Sequence, residues 1–450
     1  MPFSATGETM ESMQARQAGP RIVIAAGLRA PQAKAGGAYK AEDAGHLGAR
    51  VARELIARTG IDPAQLDEVI LGCVGQPFDQ ANVARVVAIR AGVPQAVPAR
   101  TVARNCASGM ESVTSAVAEI RAGHGDLYLC GGVEVMSAYP LAFGHKLTKL
   151  FGKLASARSG VAKLKAMASF RPSFLAPRIA LMEGLTDPTC GMIMGMTAER
   201  LALDFGITRA EADEYAMHSH QRAERARNEG RLEDELLPHL PLGSREGARS
   251  LVADDGIRDG QSMEALGKLK PYFDKPDGIV TVGNSCGITD GATMLIVTTE
   301  DRAHALGLEP LATIRSFAWA GLDPTRMGLG PVYSSAIALE RAGCTLADME
   351  VIELNEAFAA QVIACQRAFD SADFAAKHLG RSAAIGELDL ARTNKNGGAI
   401  AIGHPVGATG ARLLLTTALE MAASDATLGL ATLCIGGGQG GAVVLERNVA

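Results

Sequence analysis

The sequence predicts an α/β fold built from two similar halves, and three observations carry that reading. Up to Cys130, short apolar runs alternate with segments of helical period, the order of a sheet covered on both faces. The same order returns after Asp348. In each half a reactive side chain stands at a strand-to-helix turn, and glycines follow the next strand.

Arg21–Ala25 reads as a buried strand, because Ile-Val-Ile is apolar and β-branched. Ala41–Gly60 reads as a helix ended by glycine, Asp67–Gly72 as the next strand, and Asn82–Ala91 as a helix with an amide at its start. Ala99–Ala103 is a strand running into Cys106; Glu111–Gly123 is a helix of small residues, and Asp126–Cys130 a strand. In the second half, Asp348–Leu354 matches the strand at Asp67, Thr409–Ala423 the helix after Cys106, and Leu428–Cys434 the strand at Asp126. The first half thus runs over 21–136, completed by about 287–308, and the second over 309–450. An insertion over 137–286 separates them: basic at first, helical from Met196 to Leu236, then rich in loops.

Composition narrows the classes of function. Of 450 residues, 47% are hydrophobic and 21% charged, which suits a folded core. Lys plus Arg total 44 against 49 acidic residues, so nothing suggests whole-surface nucleic-acid binding. Eight cysteines include no C-x-x-C pair, which argues against a zinc or dithiol site and for free thiols in a reducing, cytoplasmic setting. Residues 1–20 contain Glu8, Glu11 and Arg16 without an apolar core and do not read as a signal peptide. No run approaches the ~18 apolar residues of a membrane span.

Four motifs carry chemistry. In Asn105-Cys-Ala-Ser-Gly109, Cys106 stands at a helix start, where backbone N–H groups and the dipole favour a nucleophilic thiolate; a buried structural cysteine in a tight turn is the alternative. In Gly403-His-Pro405, His404 is held on a rigid turn, as a general base for a thiol or as a helix cap. Thr432-Leu-Cys-Ile-Gly-Gly-Gly-Gln-Gly440 sets Cys434 beside backbone amides able to hold an oxyanion. Asn355, in Leu354-Asn-Glu-Ala-Phe358, ends a strand with an amide able to orient a water.

Together with Gly131-Gly-Val-Glu-Val-Met-Ser137, these motifs resemble the thiolases, the acyl-CoA C-acyltransferases, in order and over about Arg21 to Glu446. The resemblance implies a duplicated α/β/α/β/α layered fold with a large inserted loop domain. It implies Cys106 as nucleophile, His404 as its base and Cys434 as acid/base. One oxyanion hole would comprise His404 and a water on Asn355, the other the N–H groups of Cys106 and Gly436. Coenzyme A and acyl-CoA would be substrates, with no bound cofactor or metal. Met194 and Phe273 would line the pantetheine tunnel, and Arg258 would lie near the adenine. Cys286 stands where many members have a serine that bonds the pantetheine amide.

The activity implied is that of a degradative 3-ketoacyl-CoA thiolase of fatty-acid β-oxidation. The rivals are a biosynthetic acetoacetyl-CoA thiolase, a β-ketoacyl synthase (which pairs its cysteine with two histidines), and a non-catalytic subunit. A homodimer or homotetramer is expected, and the length of the insertion resembles trifunctional-complex subunits that associate with membranes and with a hydratase/dehydrogenase partner.

One stretch stands outside this frame. From Ala138 to Leu181 there is no Asp or Glu, but there are Lys146, Lys149, Lys153, Arg158, Lys163, Lys165, Arg171 and Arg178. Leu147, Leu150, Phe151 and Leu154 fall on one helical face, within a basic amphipathic stretch over 145–178. Such a stretch binds a membrane surface or a partner, or packs on its own domain and lends charge to coenzyme A phosphates.

Overall fold

The computed structural model describes residues 19–447. The N-terminal residues read above as lacking a signal peptide and the last three of the second half lie outside it, apart from Gly19 and Pro20.

The chain runs β1 (Ile22–Arg29), α1 (Ala44–Thr59), β2 (Glu68–Gly72), α2 (Val83–Ala91), β3 (Ala99–Val102), α3 (Ser108–Arg121) and β4 (Leu127–Glu134). The insertion contributes α4 (His145–Ser156), α5 (Gly160–Ala168), α6 (Met194–Phe205) and α7 (Arg209–Asn228). Then follow β5 (Thr289–Thr299), β6 (Ala312–Gly321), α8 (Gly330–Ala342), β7 (Val351–Leu354), α9 (Ala359–Phe369), α10 (Val406–Ala423), β8 (Leu428–Ile435) and β9 (Gln439–Glu446).

Strand order exposes the duplication. The first half is ordered β3-β2-β4-β5-β1 and the second β7-β8-β9-β6, with Thr393 bridging in parallel to Ile352 on the outer side of β7. In both halves the outer pairs are parallel and the inner pairs antiparallel. The halves meet where Val23 and Ile24 of β1 pair with Thr313 and Ala312 of β6.

Side-chain alternation then builds the layers. Val69 and Leu71 of β2 point outward to Leu47, Val51 and Val83 on α1 and α2. Ile70 between them points inward, into a core shared with Met110, Val113 and Val117 of α3, Leu414 of α10, and Ala431 and Leu433 of β8. Ile352 and Leu354 face outward again, onto Val332, Leu339 and Val362 of α8 and α9. The result is the α/β/α/β/α sandwich, with α3 and α10 as its middle layer.

That middle layer is packed backbone to backbone. A Cβ on Gly109 would lie 2.8 Å from the Ala411 amide, and one on Gly410 would overlap Met110. A Cβ on Gly132 would strike the carbonyl of Gly407. Gly109 and Gly410 let the two helices start close together, and Gly132 lets β4 approach the start of α10; the chemistry sits at these starts.

Local details depart from the sequence reading at the ends of elements. Asp43 caps α1 by accepting from the His46 amide, so the helix begins at Ala44. β3 stops at Val102, and α3 begins at Ser108 rather than Glu111. The helical run from Met196 is two helices: Gly206, left-handed at φ 63°, ends α6, and a capping box of Thr208 and Glu211 starts α7.

The expected apolar face of α4 is divided. Leu147 and Leu150 are buried and Leu154 half-buried, but Phe151 points to solvent.

Candidate active site

Cys106 sits in the turn between β3 and α3. Asn105 before it is left-handed at φ 44°, a conformation asparagine tolerates better than most residues. Its Nδ2 donates to the Gly436 carbonyl at 2.8 Å, tying the first half's turn to the second half's glycine loop. The Ser108 hydroxyl accepts from the Arg104 amide and donates to the Asn105 carbonyl. Arg104 is braced in turn by Glu111 and Gln439 and lies over the Trp319 ring.

Burial governs the resting state of Cys106. Burial pushes the thiol up, although the N–H groups of Gly436 and of Cys106 itself hydrogen-bond the sulfur and pull the other way. The nucleophile therefore rests as a thiol. The two N–H groups that touch it are the pair expected to hold an oxyanion.

His404 sits immediately before α10, its own N–H donating to the Thr289 hydroxyl at 2.7 Å. Its Nδ1 is 2.7 Å from Thr409 Oγ1, which donates its hydrogen to the Pro405 carbonyl. The Thr409 oxygen must therefore accept from Nδ1–H, which leaves Nε2 as the bare nitrogen. Nε2 is buried with no partner. Burial, and then the charge of Arg412, lower the imidazole to about 3, so it rests neutral, with Nε2 as its open acceptor.

Asn355 follows β7, fully buried, with neither side-chain atom hydrogen-bonded. An amide stripped of water and given no protein partner is costly, so the site suits a bound water or substrate oxygen. The next residue shows the contrast. Glu356 accepts from Tyr215, Ser219, Asn394 and the Ile400 amide, and anchors the Asn355 turn to α7.

Cys434, near the end of β8, is 1% exposed. Burial holds its thiol well above the ordinary range, and Cys106, Cys365 and Cys286 add to the effect. Cys434 packs with Ala198, Val280, Met327, Ala357 and Phe358, flanked by Met194 and Phe273. Phe273 meets Phe358 edge-on at 6.1 Å, and Met194 stands against Gly436. Cys286 joins the same group: its N–H donates to Ala357, and burial pushes its thiol up to about 12.

Arg258 is on a surface loop, its N–H donating to His220 Nδ1 on α7. No contact of Arg258 with the thiol group is seen among the described residues.

Sequence reasoning missed the supports. Thr409 and Thr289 fix His404. Glu134 accepts from Val74, Gly75, Tyr139 and the Gly407 amide, and so pins the first turn of α10. Their partners come from distant segments, which no local pattern reveals.

The model of the thiolase N-terminal domain matches residues 22–301, and that of the thiolase C-terminal domain matches residues 308–447. The chain belongs to the thiolase family. It is an acyltransferase of that family, 39% identical to the 3-ketoacyl-CoA thiolase of Yersinia pestis (strain Pestoides F) over 429 residues, which cover 95% of this chain and 97% of that one. Among solved structures it is similar to the Bacillus anthracis acetyl-CoA acetyltransferase (TM-score 0.83, 35% identity, 95% and 98% covered). It is also similar to human mitochondrial 3-ketoacyl-CoA thiolase (TM-score 0.82, 33% identity, 96% and 99% covered) and to that enzyme in complex with CoA (TM-score 0.81, 33% identity, 96% and 98% covered).

Because Asn355 makes no side-chain hydrogen bond inside the protein, its loss removes function without removing structure. Asn355→Ala is expected to leave the melting temperature within a few degrees of wild type while acyl transfer falls about 10²-fold, the scale of one oxyanion donor. A large drop in melting temperature with proportionate loss of activity would make the residue structural.

Proposed function

We propose that the protein is a 3-ketoacyl-CoA thiolase acting in β-oxidation. The observation that carries this is the joining of the two turns: Asn105, next to Cys106 in one half, donates to the carbonyl of Gly436, two residues after Cys434 in the other, and beside them the buried Asn355 side chain and His404 Nε2 are unpaired. The relatives named 3-ketoacyl-CoA thiolase support it. The acetyl-CoA acetyltransferase structure favours a second reading, condensation of two acetyl-CoA, which the same residues perform in reverse.

The proposed steps use these residues in turn. Cys106 gives its proton to His404 Nε2, and its sulfur adds to the 3-keto carbon. The bond between C2 and C3 breaks, and its electrons form the enolate of acetyl-CoA, which Cys434 protonates. The shortened acyl group stays on Cys106 as a thioester. A second coenzyme A gives its thiol proton to the Cys434 thiolate and attacks that thioester. Cys106 then leaves and recovers its proton from His404. The water position on Asn355 with His404 Nε2 serves one developing oxyanion, and the Cys106 and Gly436 amides serve the other. Met194, Phe273 and Cys286 flank the channel for pantetheine and acyl chain, and Arg258 is the adenine contact.

Thiolysis of 3-ketoacyl-CoAs of four to sixteen carbons tests this reading. Cleavage of chains longer than four carbons is expected; turnover of acetoacetyl-CoA alone would favour the second reading. In Cys434→Ala, thiolysis should fall by roughly 10²–10⁴-fold while acylation of Cys106 by acetyl-CoA persists. Turnover within a few-fold of wild type would remove Cys434 from the proton transfers.

The reading extends to surroundings: a homodimer or homotetramer in a reducing cytoplasm, open to a hydratase/dehydrogenase partner, with the basic stretch resting on an anionic membrane. Eight free thiols support the compartment. For the membrane contact, Leu141, Phe143, Phe151, Val161, Leu164 and Met167 are exposed among the lysines of α4 and α5. Arg178 is already paired with Glu183. Each basic residue near such a surface contributes roughly 1 kcal/mol, screened by salt. Sedimentation with anionic vesicles is expected, weakening as salt rises and in Phe151→Glu. Leu150→Glu, which forces a charge into a buried position, should instead destabilise the fold by roughly 3 kcal/mol. Equal sedimentation of wild type and Phe151→Glu, or none with anionic vesicles, would remove the membrane contact.

A further inference from the structure

The start of α1 holds a cluster of groups that none of the proposed steps uses. Glu42 is buried, and each of its carboxylate oxygens faces an imidazole: Oε2 lies 2.8 Å from His46 Nδ1, and Oε1 lies 2.8 Å from His239 Nε2. One atom from each of the three residues lies within 4.8 Å of the other two. Donors around a tetrahedral zinc ion, at bonds of about 2.0–2.2 Å, stand about 3.3 Å apart, so the three groups are spaced for one ion with little movement. Their positions are fixed from outside the cluster. Asp43 caps α1 by accepting from the His46 amide, which holds His46 in the first turn. His239 comes from the insertion, where its backbone pairs with Leu251, and nearby Leu242 donates its amide to Glu42 Oε1.

A buried carboxylate is paired with a cation or coordinates one. Burial acts to raise the Glu42 carboxyl, but the hydrogen bonds from His239, His46 and the Leu242 amide prevail and hold it below the ordinary range, so the charge is kept. Among the described residues no lysine or arginine pairs with it; its ion-pair partners are the two histidines. Arg90 is taken by Asp43, and Arg29 by Glu235 and Asp254. Two more polar atoms beside the cluster have no partner: His239 Nδ1 and the Tyr39 hydroxyl, both on fully buried side chains whose rings meet edge-on at 5.3 Å. Coordination through His239 Nε2 would place the ring hydrogen on Nδ1, the form in which ligating histidines donate to a second partner, and the Tyr39 oxygen is an acceptor of the kind required. On the other side, the His46 side chain is 31% exposed, which gives an ion a way in and room for a solvent ligand.

We propose that Glu42, His46 and His239 form a binding site for a divalent transition-metal ion of the zinc class, which clasps the insertion onto α1 of the first half. Two imidazoles and one carboxylate suit zinc and its neighbours, and are too poor in oxygen for calcium or magnesium. The ion offsets the buried charge of Glu42 and holds the segment 237–251 against the start of α1. Its role is structural, and it shares no ligand with the thiol site.

The test titrates the full-length protein, freed of metal by a chelator, with Zn(II) alone. The variants are His46→Gln, whose amide can still donate to Glu42 but does not replace an imidazole as ligand, and Cys106→Ala, because free thiols also take up zinc. Wild type and Cys106→Ala are each expected to bind one equivalent that His46→Gln binds at least about tenfold more weakly. Saturating zinc should raise the melting temperature of wild type and Cys106→Ala by a few degrees and leave that of His46→Gln where it was. Co(II) in place of zinc should show the visible bands of a tetrahedral ion without sulfur-to-cobalt charge transfer, as nitrogen and oxygen ligands require. If His46→Gln does not fold, His46→Ala serves in its place, and the cobalt spectrum of wild type decides independently of either. Equal zinc binding in wild type and His46→Gln, no binding by wild type at micromolar zinc, or a cobalt spectrum dominated by sulfur charge transfer would overturn the site. In the first two cases the cluster is a hydrogen-bonded clasp only, and in the third the metal sits on cysteines.

Discussion

Everything in this molecule depends on how closely α3 and α10 approach. Each half alone is a covered sheet with a reactive turn at one end. The glycines at 109 and 410 let the two helices pack with main chain against main chain, Gly132 of β4 gives the start of α10 the same room, and these contacts bring Cys106 and His404, nearly three hundred residues apart, to the same side of the layer. Asn105 on the Gly436 carbonyl and Glu134 on the Gly407 amide then fix the register of the two turns. The site is a property of the interface between the halves, which is why no segment of the chain contains it.

Burial decides the ionisation there. A helix start alone would favour a thiolate at Cys106, but removal from water disfavours charge on every group, and in this pocket it prevails. The same desolvation that keeps the thiols protonated keeps His404 unprotonated. The resting site is therefore a set of neutral partners. Charge appears only when substrate arrives, and it appears where unpaired donors wait: the Cys106 and Gly436 amides, and the water position on Asn355. Donors held in place before the reaction need no reorganisation during it.

The four reactive residues were legible in the sequence because each lies at a turn whose residue types are themselves unusual: Asn-Cys before small residues, His between Gly and Pro, Cys before a run of glycines, Asn at a strand end. The layering was legible from the repeated order of elements. β5 was harder to read, since it is buried along nearly its whole length and shows no alternation. β6 alternates in burial but not in residue type, because Phe317 and Trp319 fall on its less buried face and Ser316 on its buried one. Thr409, Glu134 and Glu356 were not legible as parts of a site, because their roles come from partners that only the folded chain supplies. The helical period of α4 placed Leu147 and Leu150 correctly, but put Phe151 on a face too narrow to cover it.

The central claim is that Cys106, on the first half, carries the acyl group while the second half manages protons and oxyanions. Mass spectrometry of the protein after incubation with acetyl-CoA tests it most directly. The account requires a single acetyl group, located on the peptide containing Cys106 and missing in a folded Cys106→Ala variant. An acetyl group on Cys434 or Cys286 instead, or one that persists in Cys106→Ala, would contradict it.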